Sequence, residues 1–279
     1  MDERQNAIEI ECLTKYYGRH RGVNGVSFTV AEREIFGFLG PNGAGKSTTI
    51  RCMLGMLRFQ EGKIRLLQMD AERQTEEILR QVGYMPSEAM FYPSMKVKDI
   101  IRFAAQARKM NCDKEAERIC QLLGVDLEKK IGELSLGNRK KVSIVCAMQH
   151  KPRLLILDEP TSGLDPLMQE AFFQLILEYN ARGTTCFLSS HVLSEVKRYC
   201  KNAAIIKDGE LVKVDSVENL LKSGVRRIRL WKDGKEQAFS YEGDMRQLIK
   251  RLDEMQVDDL LIEEPSLEEL FVHYYNQEK

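Results

Sequence analysis

The segment Gly40-Pro41-Asn42-Gly43-Ala44-Gly45-Lys46-Ser47-Thr48 has the residue types and spacing of a phosphate-binding loop, G-x-x-x-x-G-K-[ST]. Its glycines let the backbone wrap closely, so that several N–H groups and a helix N-terminus point at one polyphosphate. Lys46 then reaches the terminal phosphates, and the Ser47 hydroxyl supplies an oxygen ligand for Mg²⁺. The context agrees: Ile35-Phe36-Gly37-Phe38-Leu39 reads as a short buried strand, and Ile50, Met53, Leu54 and Leu57 follow at helical spacing. Without a ligand the same residues make only a glycine-rich strand-to-helix turn.

Further along, Leu154-Leu155-Ile156-Leu157-Asp158-Glu159 reads as a central parallel strand with two carboxylates at its C-terminal edge, where open α/β sheets bind ligands. Asp158 suits a metal, and Glu159 suits a general base acting on water, a role worth about 10²–10⁴-fold in rate. The strand Thr184 to Ser189 ends just before His191, an ordinary hydrogen-bonding residue or one within reach of a terminal phosphate at the same edge. Leu134-Ser135-Leu136-Gly137-Asn138 opens a helix with a polar glycine turn, which is a cap or an anion site. Asp165 before Pro166 caps another helix. Tyr17 lies in a turn upstream of the loop; an aromatic there stacks on a base for about 1–3 kcal/mol, or is an edge-strand tyrosine with its hydroxyl in water.

The elements that must hold these groups alternate strand and helix. Residues 8–30 read as two strands, with Ile8, Ile10 and Cys12 on one face and Val26, Phe28 and Val30 on another. About sixty mostly helical residues interrupt the strand-helix pattern, including Lys96–Met110 and Asp113–Leu123. After Asp165 a helix buries Ala171, Phe172, Leu175, Ile176 and Tyr179, and a hairpin turns at Asp208-Gly209. Beyond Val217 the spacing predicts strands at Arg226–Trp231, Glu236–Tyr241 and Asp258–Glu263, a helix over Asp244–Leu252, and a last helix behind the capping box of Ser266 and Glu269. The cluster Arg226-Arg227-Ile228-Arg229 reads as a solvated strand face, or a surface for acidic partners or lipid headgroups.

Bulk properties exclude several classes. The 279 residues hold 42 basic and 42 acidic side chains, so no global charge argues for nucleic acid or acidic lipid. From Glu242 onward there are 11 acidic and 4 basic residues, a net −7 that leaves +7 for the rest. Seven cysteines without a C-x-x-C pair suit reduced core thiols in a cytoplasmic protein. The polar N-terminus lacks a signal core, and no apolar run approaches the roughly 18 residues that span a bilayer, so any membrane role is expected to come through a partner.

Taken in order, these pieces resemble the ATP-binding subunit of an ABC transporter, a likeness covering roughly residues 8–214. The segment Glu264–Phe271 is similar to the C-terminal extension of ABC-2-type exporter ATPases, the daunorubicin-resistance-like and sodium-export-like group. The resemblance implies an α/β P-loop NTPase fold of ABC type: a mixed sheet core, an antiparallel N-terminal β region, a helical subdomain over about 88–150, and a small α+β appendage. The ATP-binding domain would span residues 1–216 and an accessory domain 217–279. It implies ATP and Mg²⁺ as ligands, with Tyr17 on the adenine, Gly40–Thr48 on the phosphates, Ser47 and Asp158 on the metal, and Glu159 and His191 at the attacking water. Ser135, Gly137 and Asn138 of a second copy, or of a homologous ATPase subunit, would close the site, with Asp165 communicating across the pair. A polytopic permease would dock near Met90, Phe91 and Tyr92 and hold the protein at the inner face of the cell membrane; no nucleic acid is expected.

Two positions depart from that family's pattern. Ser87 stands where glutamine is usual and is too short to reach a metal directly, so water or Glu88 is expected to complete the metal shell. Leu136 stands where glycine is common. Competing readings are a soluble ABC-type ATPase acting on nucleic acid or ribosomes and a nucleotide-gated scaffold. Only about ninety residues separate loop from signature, too few for the long coiled coil of DNA-repair members, and a single ATPase unit argues against the ribosomal ones. No Asn-Lys-x-Asp base reader of a GTPase is present.

Overall fold

Ile35–Leu39 and Leu154–Asp158 are buried along their whole length, as strands covered on both faces must be. In this computed structural model, which describes residues 5–88, 90–221, 225–263 and 269, they lie in one sheet with helices around it. In chain order the elements are β1 (Asn6–Tyr17), β2 (His20–Ala31), β3 (Ile35–Leu39), α1 (Lys46–Met53), β4 (Glu61–Leu66), β5 (Met69–Asp70), α2 (Thr75–Gln81) and β6 (Val82–Met85). Next come α3 (Val97–Ala107), α4 (Asp113–Leu123), α5 (Leu136–Met148), β7 (Leu154–Asp158), α6 (Pro166–Ala181), β8 (Thr185–Ser190) and α7 (Leu193–Tyr199). Then follow β9 (Asn202–Lys207), β10 (Glu210–Ser216), α8 (Val217–Leu221), β11 (Val225–Lys232), β12 (Lys235–Glu242), α9 (Met245–Glu254) and β13 (Asp259–Glu263).

The central sheet has the order β10-β9-β3-β8-β7-β6, parallel except for the edge hairpin of β9 and β10. An antiparallel sheet, β2-β1-β4-β5, packs beside it. Phe28 of β2 stacks within 5.7–5.9 Å of Phe36 and Phe187 from β3 and β8, which ties the two sheets together with buried aromatic area. This contact brings the turn after Tyr17 over the loop that follows β3. On the other face, α3, α4, α5 and α6 share one apolar core with β6, β7 and β8.

The mixed sheet, antiparallel region and helical segment agree with the fold expected from sequence. Several local expectations change. Cys12 does not share the face of Ile8 and Ile10: it adopts φ 49° at a register shift, turns outward, and Leu13 takes the buried place. The bulge resets the alternation by one residue. Cys12 is thus an exposed thiol, whereas burial pushes Cys186 up to about 12 and keeps it protonated. Helix α3 stops at Ala107, short of Met110, and buries Val97, Ile100, Ile101 and Ala105. Helix α6 buries Phe173 more fully than Ala171. Helix α7 was not anticipated, because its seven residues are too few for a readable period.

Residues 225–263 form a three-stranded sheet, β12-β11-β13, that packs Ile228 and Leu230 against Leu248 and Leu252 of α9. Arg227 and Arg229 of the basic cluster pair with Glu263, and Arg229 also with Glu236, so two of its three arginines are engaged by acidic side chains of the same sheet. The expected last helix and the Glu264–Phe271 motif lie outside the described residues apart from Glu269. Among the described residues no helix is long and apolar enough to cross a membrane.

Candidate functional site

The loop after β3 is shaped by two left-handed glycines, Gly43 (φ 81°) and Gly45 (φ 106°). A Cβ on Gly45 would lie 2.7 Å from Val23 Cγ1 and 2.9 Å from Gly22 O, and one on Gly40 would lie 2.5 Å from Ile206 O. Only glycine fits either place. Gly45 caps α1, so Lys46, Ser47 and Thr48 form the first turn of a helix whose free N–H groups and positive dipole end face a cleft of about 520 Å³.

The cleft is lined by Asn42, Gly43, Gly45, Lys46, Ser47 and Thr48 together with Tyr17, Glu159, Ser87 and Glu88. Gly40, Pro41 and Ala44 support the loop from behind: Lys46 Nζ donates to Gly40 O at 2.7 Å and Pro41 O at 3.0 Å. The third direction of that ammonium is taken by Glu159 Oε1 at 3.1 Å. Glu159 Oε2 lies 3.4 Å from His191 Nδ1, so three residues distant in sequence meet at one carboxylate. Tyr17 is partly exposed, its hydroxyl 3.3 Å from Thr48 Oγ1 and Lys15 Nζ 5.3 Å from the ring centroid. The ring therefore stands at the mouth of the cleft, where a planar base has access to it.

Asp158 does not line the cleft wall. It is buried at the end of β7, where Ser189 Oγ donates to its Oδ1 at 2.6 Å. The same hydroxyl and the Ser189 carbonyl accept from the Glu159 N–H at 3.1 and 3.2 Å. Glu159 sits at φ 46°, an uncommon conformation for a residue with a side chain, and these bonds hold it there. Asp158 and Ser47 are both oxygen donors, and a hard divalent cation such as Mg²⁺ selects that set.

The remaining expected residues lie elsewhere in the chain. Ser135 caps α5, its Oγ accepting from Asn138 N–H at 3.3 Å, and Asp165 Oδ1 caps α6, accepting from Met168 N–H at 3.0 Å. Gly137 approaches the turn before α6 so closely that a Cβ would stand 3.1 Å from Gly163 O. Ser135, Gly137, Asn138 and Asp165 do not line the cleft that holds Lys46 and Glu159. Leu136 is exposed beside them and Leu167 more so. In the loop toward α3, Met90 is 89% and Tyr92 74% exposed, whereas Phe91 packs against the core.

Sequence reasoning missed four contributors. Arg21, Gly22 and Ser162 line the cleft, and Ser189 orients both carboxylate residues. Ser189 was legible as the polar end of an otherwise apolar strand. Arg21 carried no signal, because only the stacking of the antiparallel sheet brings it to the loop.

The ABC transporter family profile matches residues 23–162. The bacitracin transport ATP-binding protein BcrA of Bacillus licheniformis is 31% identical, over 95% of this chain and 96% of its own. The linearmycin resistance ATP-binding protein LnrL of Bacillus subtilis is 31% identical over 83% of this chain and 77% of its own. Among solved structures, an ATP-binding subunit of an ABC transporter superposes with a TM-score of 0.73 at 28% identity, covering 77% of this chain and 92% of that one. A bacterial ABC transporter cassette solved as a dimer shares the fold, with a TM-score of 0.67 at 21% identity over 75% of this chain and 98% of that one. With its loop, paired carboxylates and helix-capping signature assembled on that scaffold, this chain belongs to the ABC transporter family.

Proposed function

We propose that the protein is the ATP-hydrolysing subunit of an ABC exporter, driving a separate membrane-spanning subunit by closing head to tail with a second ATPase copy and reopening. The observation that carries this reading is that the site is divided. Lys46 and Glu159 line one cleft, with His191 on the other oxygen of Glu159, while Ser135, Gly137 and Asn138 form a helix N-terminus outside that lining. A helix N-terminus suits the terminal phosphate held by another copy. The dimeric cassette of the same fold and the antibiotic-export names of two relatives support the reading.

In this proposal Tyr17 stacks the adenine, and Gly40–Thr48 wrap the phosphates. Mg²⁺, when held by Ser47 and Asp158, neutralises charge on the phosphate oxygens. Glu159 leaves Lys46 when phosphate takes the ammonium, and its carboxylate then accepts a proton from the attacking water. His191 steadies that water and the carboxylate. Glu88 lines the same cleft as Ser47 and would complete, directly or through water, the shell of a metal that Ser87 is too short to reach. Asp165 passes the closed state to the partner copy. A permease docks on Met90 and Tyr92, which places the protein at the inner membrane face. Because α8 adds Val217 and Leu220 to the larger core, we place the division from the accessory domain after that helix.

The test is affinity purification of the tagged full-length protein from detergent-solubilised membranes. A polytopic membrane protein should come with the parent and be lost from a Met90→Glu/Tyr92→Glu variant. Recovery with ribosomes or DNA instead would overturn the exporter reading.

A further inference from the structure

Lys140 is a cation of α5 that the established motifs do not explain. It lies three residues past the signature glycine, yet its side chain turns inward and only 3% of the residue is exposed. Its Nζ donates to Ser87 O and to Glu159 O, both at 2.8 Å. Burial lowers its pKa, while the nearby carboxylates of Asp158, Glu159 and Glu88 act in the opposite direction and favour the charged ammonium. Burying a lysine is costly unless hydrogen bonds and nearby charges compensate it, and here two main-chain oxygens do so.

Both oxygens belong to segments whose placement decides the chemistry. Glu159 sits at φ 46°, a conformation that costs on the order of 1–3 kcal/mol and persists only when the surroundings hold it. Its N–H is held by Ser189, and its C=O accepts from Lys140 Nζ at 2.8 Å and from the Ser162 N–H at 3.3 Å. The next residue, Pro160, has no N–H to offer, so the short charged bond from Lys140 and the longer one from Ser162 together fix the far side of that peptide. Ser87 belongs to the loop that leads on to the exposed Met90 and Tyr92.

We propose that Lys140 is a positioning residue for hydrolysis: its ammonium registers the main chain of Glu159 against the loop carrying Ser87, and so aims the Glu159 carboxylate. A shift of the Met90–Tyr92 segment is then transmitted to the carboxylate through two carbonyl groups, with no side chain reaching from the loop. The proposal rests on Glu159 acting as the general base.

The experiment compares Lys140→Met, Lys140→Arg and Glu159→Gln in the full chain, measuring kcat for ATP hydrolysis, equilibrium affinity for a fluorescent ATP analogue, and thermal melting. Lys140→Met, similar in shape but without donors, should lose about 10- to 100-fold in kcat, as a displaced catalytic group does. Its nucleotide affinity should stay within about twofold of the parent, the signature of an interaction used in the transition state alone. Lys140→Arg, which restores a charged donor, should recover most of the rate. The proposal is overturned if Lys140→Met keeps the parental kcat, or if kcat and affinity fall together and arginine rescues neither. Should Lys140→Met fail to fold, Lys140→Gln, with one donor group, carries the same comparison. If Glu159→Gln itself retains turnover, the general-base reading fails instead, and the two failures are distinguishable.

Discussion

Replacing Glu159 by glutamine should tighten ATP binding while stopping turnover, and both halves follow from one contact. All three donor directions of the Lys46 ammonium are occupied: Gly40 O at 2.7 Å, Pro41 O at 3.0 Å and Glu159 Oε1 at 3.1 Å. The side chains of Lys46 and Glu159 are only 4% and 19% exposed, so solvent screens their attraction little. Phosphate reaching Lys46 must displace the carboxylate. Glutamine keeps a hydrogen bond from the ammonium but removes the opposite charge, so the cost of displacement falls by about 1 kcal/mol, the scale of a partly solvated ion pair. That corresponds to about fivefold tighter binding, and removal of a negative charge beside the phosphates adds in the same direction. Loss of the general base lowers kcat by about 10²–10⁴-fold. Titration with a fluorescent ATP analogue in the absence of divalent cations reads the first effect, and phosphate release with Mg²⁺ reads the second. Affinity equal to or weaker than the parent's would refute the competition between Glu159 and phosphate for Lys46. A variant that stays monomeric on gel filtration at millimolar ATP would sink the two-copy clamp.

Two other perturbations test separate parts of the molecule. Tyr17→Ala should weaken ATP binding by about 1–3 kcal/mol, or roughly 5- to 150-fold, while Tyr17→Trp keeps a stacking face and the affinity; equal affinity in all three proteins would remove Tyr17 from the site. His150 is buried with its Nε2 3.2 Å from Val82 O, and burial together with the Arg108 charge lowers its pKa from 6.5 to about 4. The unfolded chain therefore binds the extra proton between these values. The stability from keeping this imidazole neutral is complete above about pH 6.5 and is lost as pH falls toward 4, amounting to about 3 kcal/mol. Urea midpoints measured across that range should fall more steeply for the parent than for His150→Phe; parallel slopes would show that His150 does not drive the loss.

The contrast between what was legible and what was not follows the range of the interactions. Gly40–Thr48, the Leu154–Glu159 strand, the caps at Ser135 and Asp165 and the hairpin at Asp208-Gly209 depend on local geometry: a φ only glycine adopts, a side chain reaching a nearby N–H, an apolar run between covered faces. Those constraints act within a few residues, so they are written in the residue order. Cys12 defeated the alternation because a bulge is a single residue inserted against a partner strand, and the partner is not local. Helix α7 was too short for its period to stand out.

The sequence by itself determined that a phosphate-binding loop precedes a helix, that two carboxylates end a buried strand, and that a signature turn opens another helix. Tertiary structure alone decided that Glu159 meets Lys46 and His191 while Ser135 and Gly137 lie outside the cleft lining, that Ser189 orients both acids, and that Lys140 joins Ser87 to Glu159. The physical reason is that local geometry fixes which groups a segment can offer, whereas sheet order and the burial of polar atoms among strands and helices far apart in the chain fix which of those groups meet.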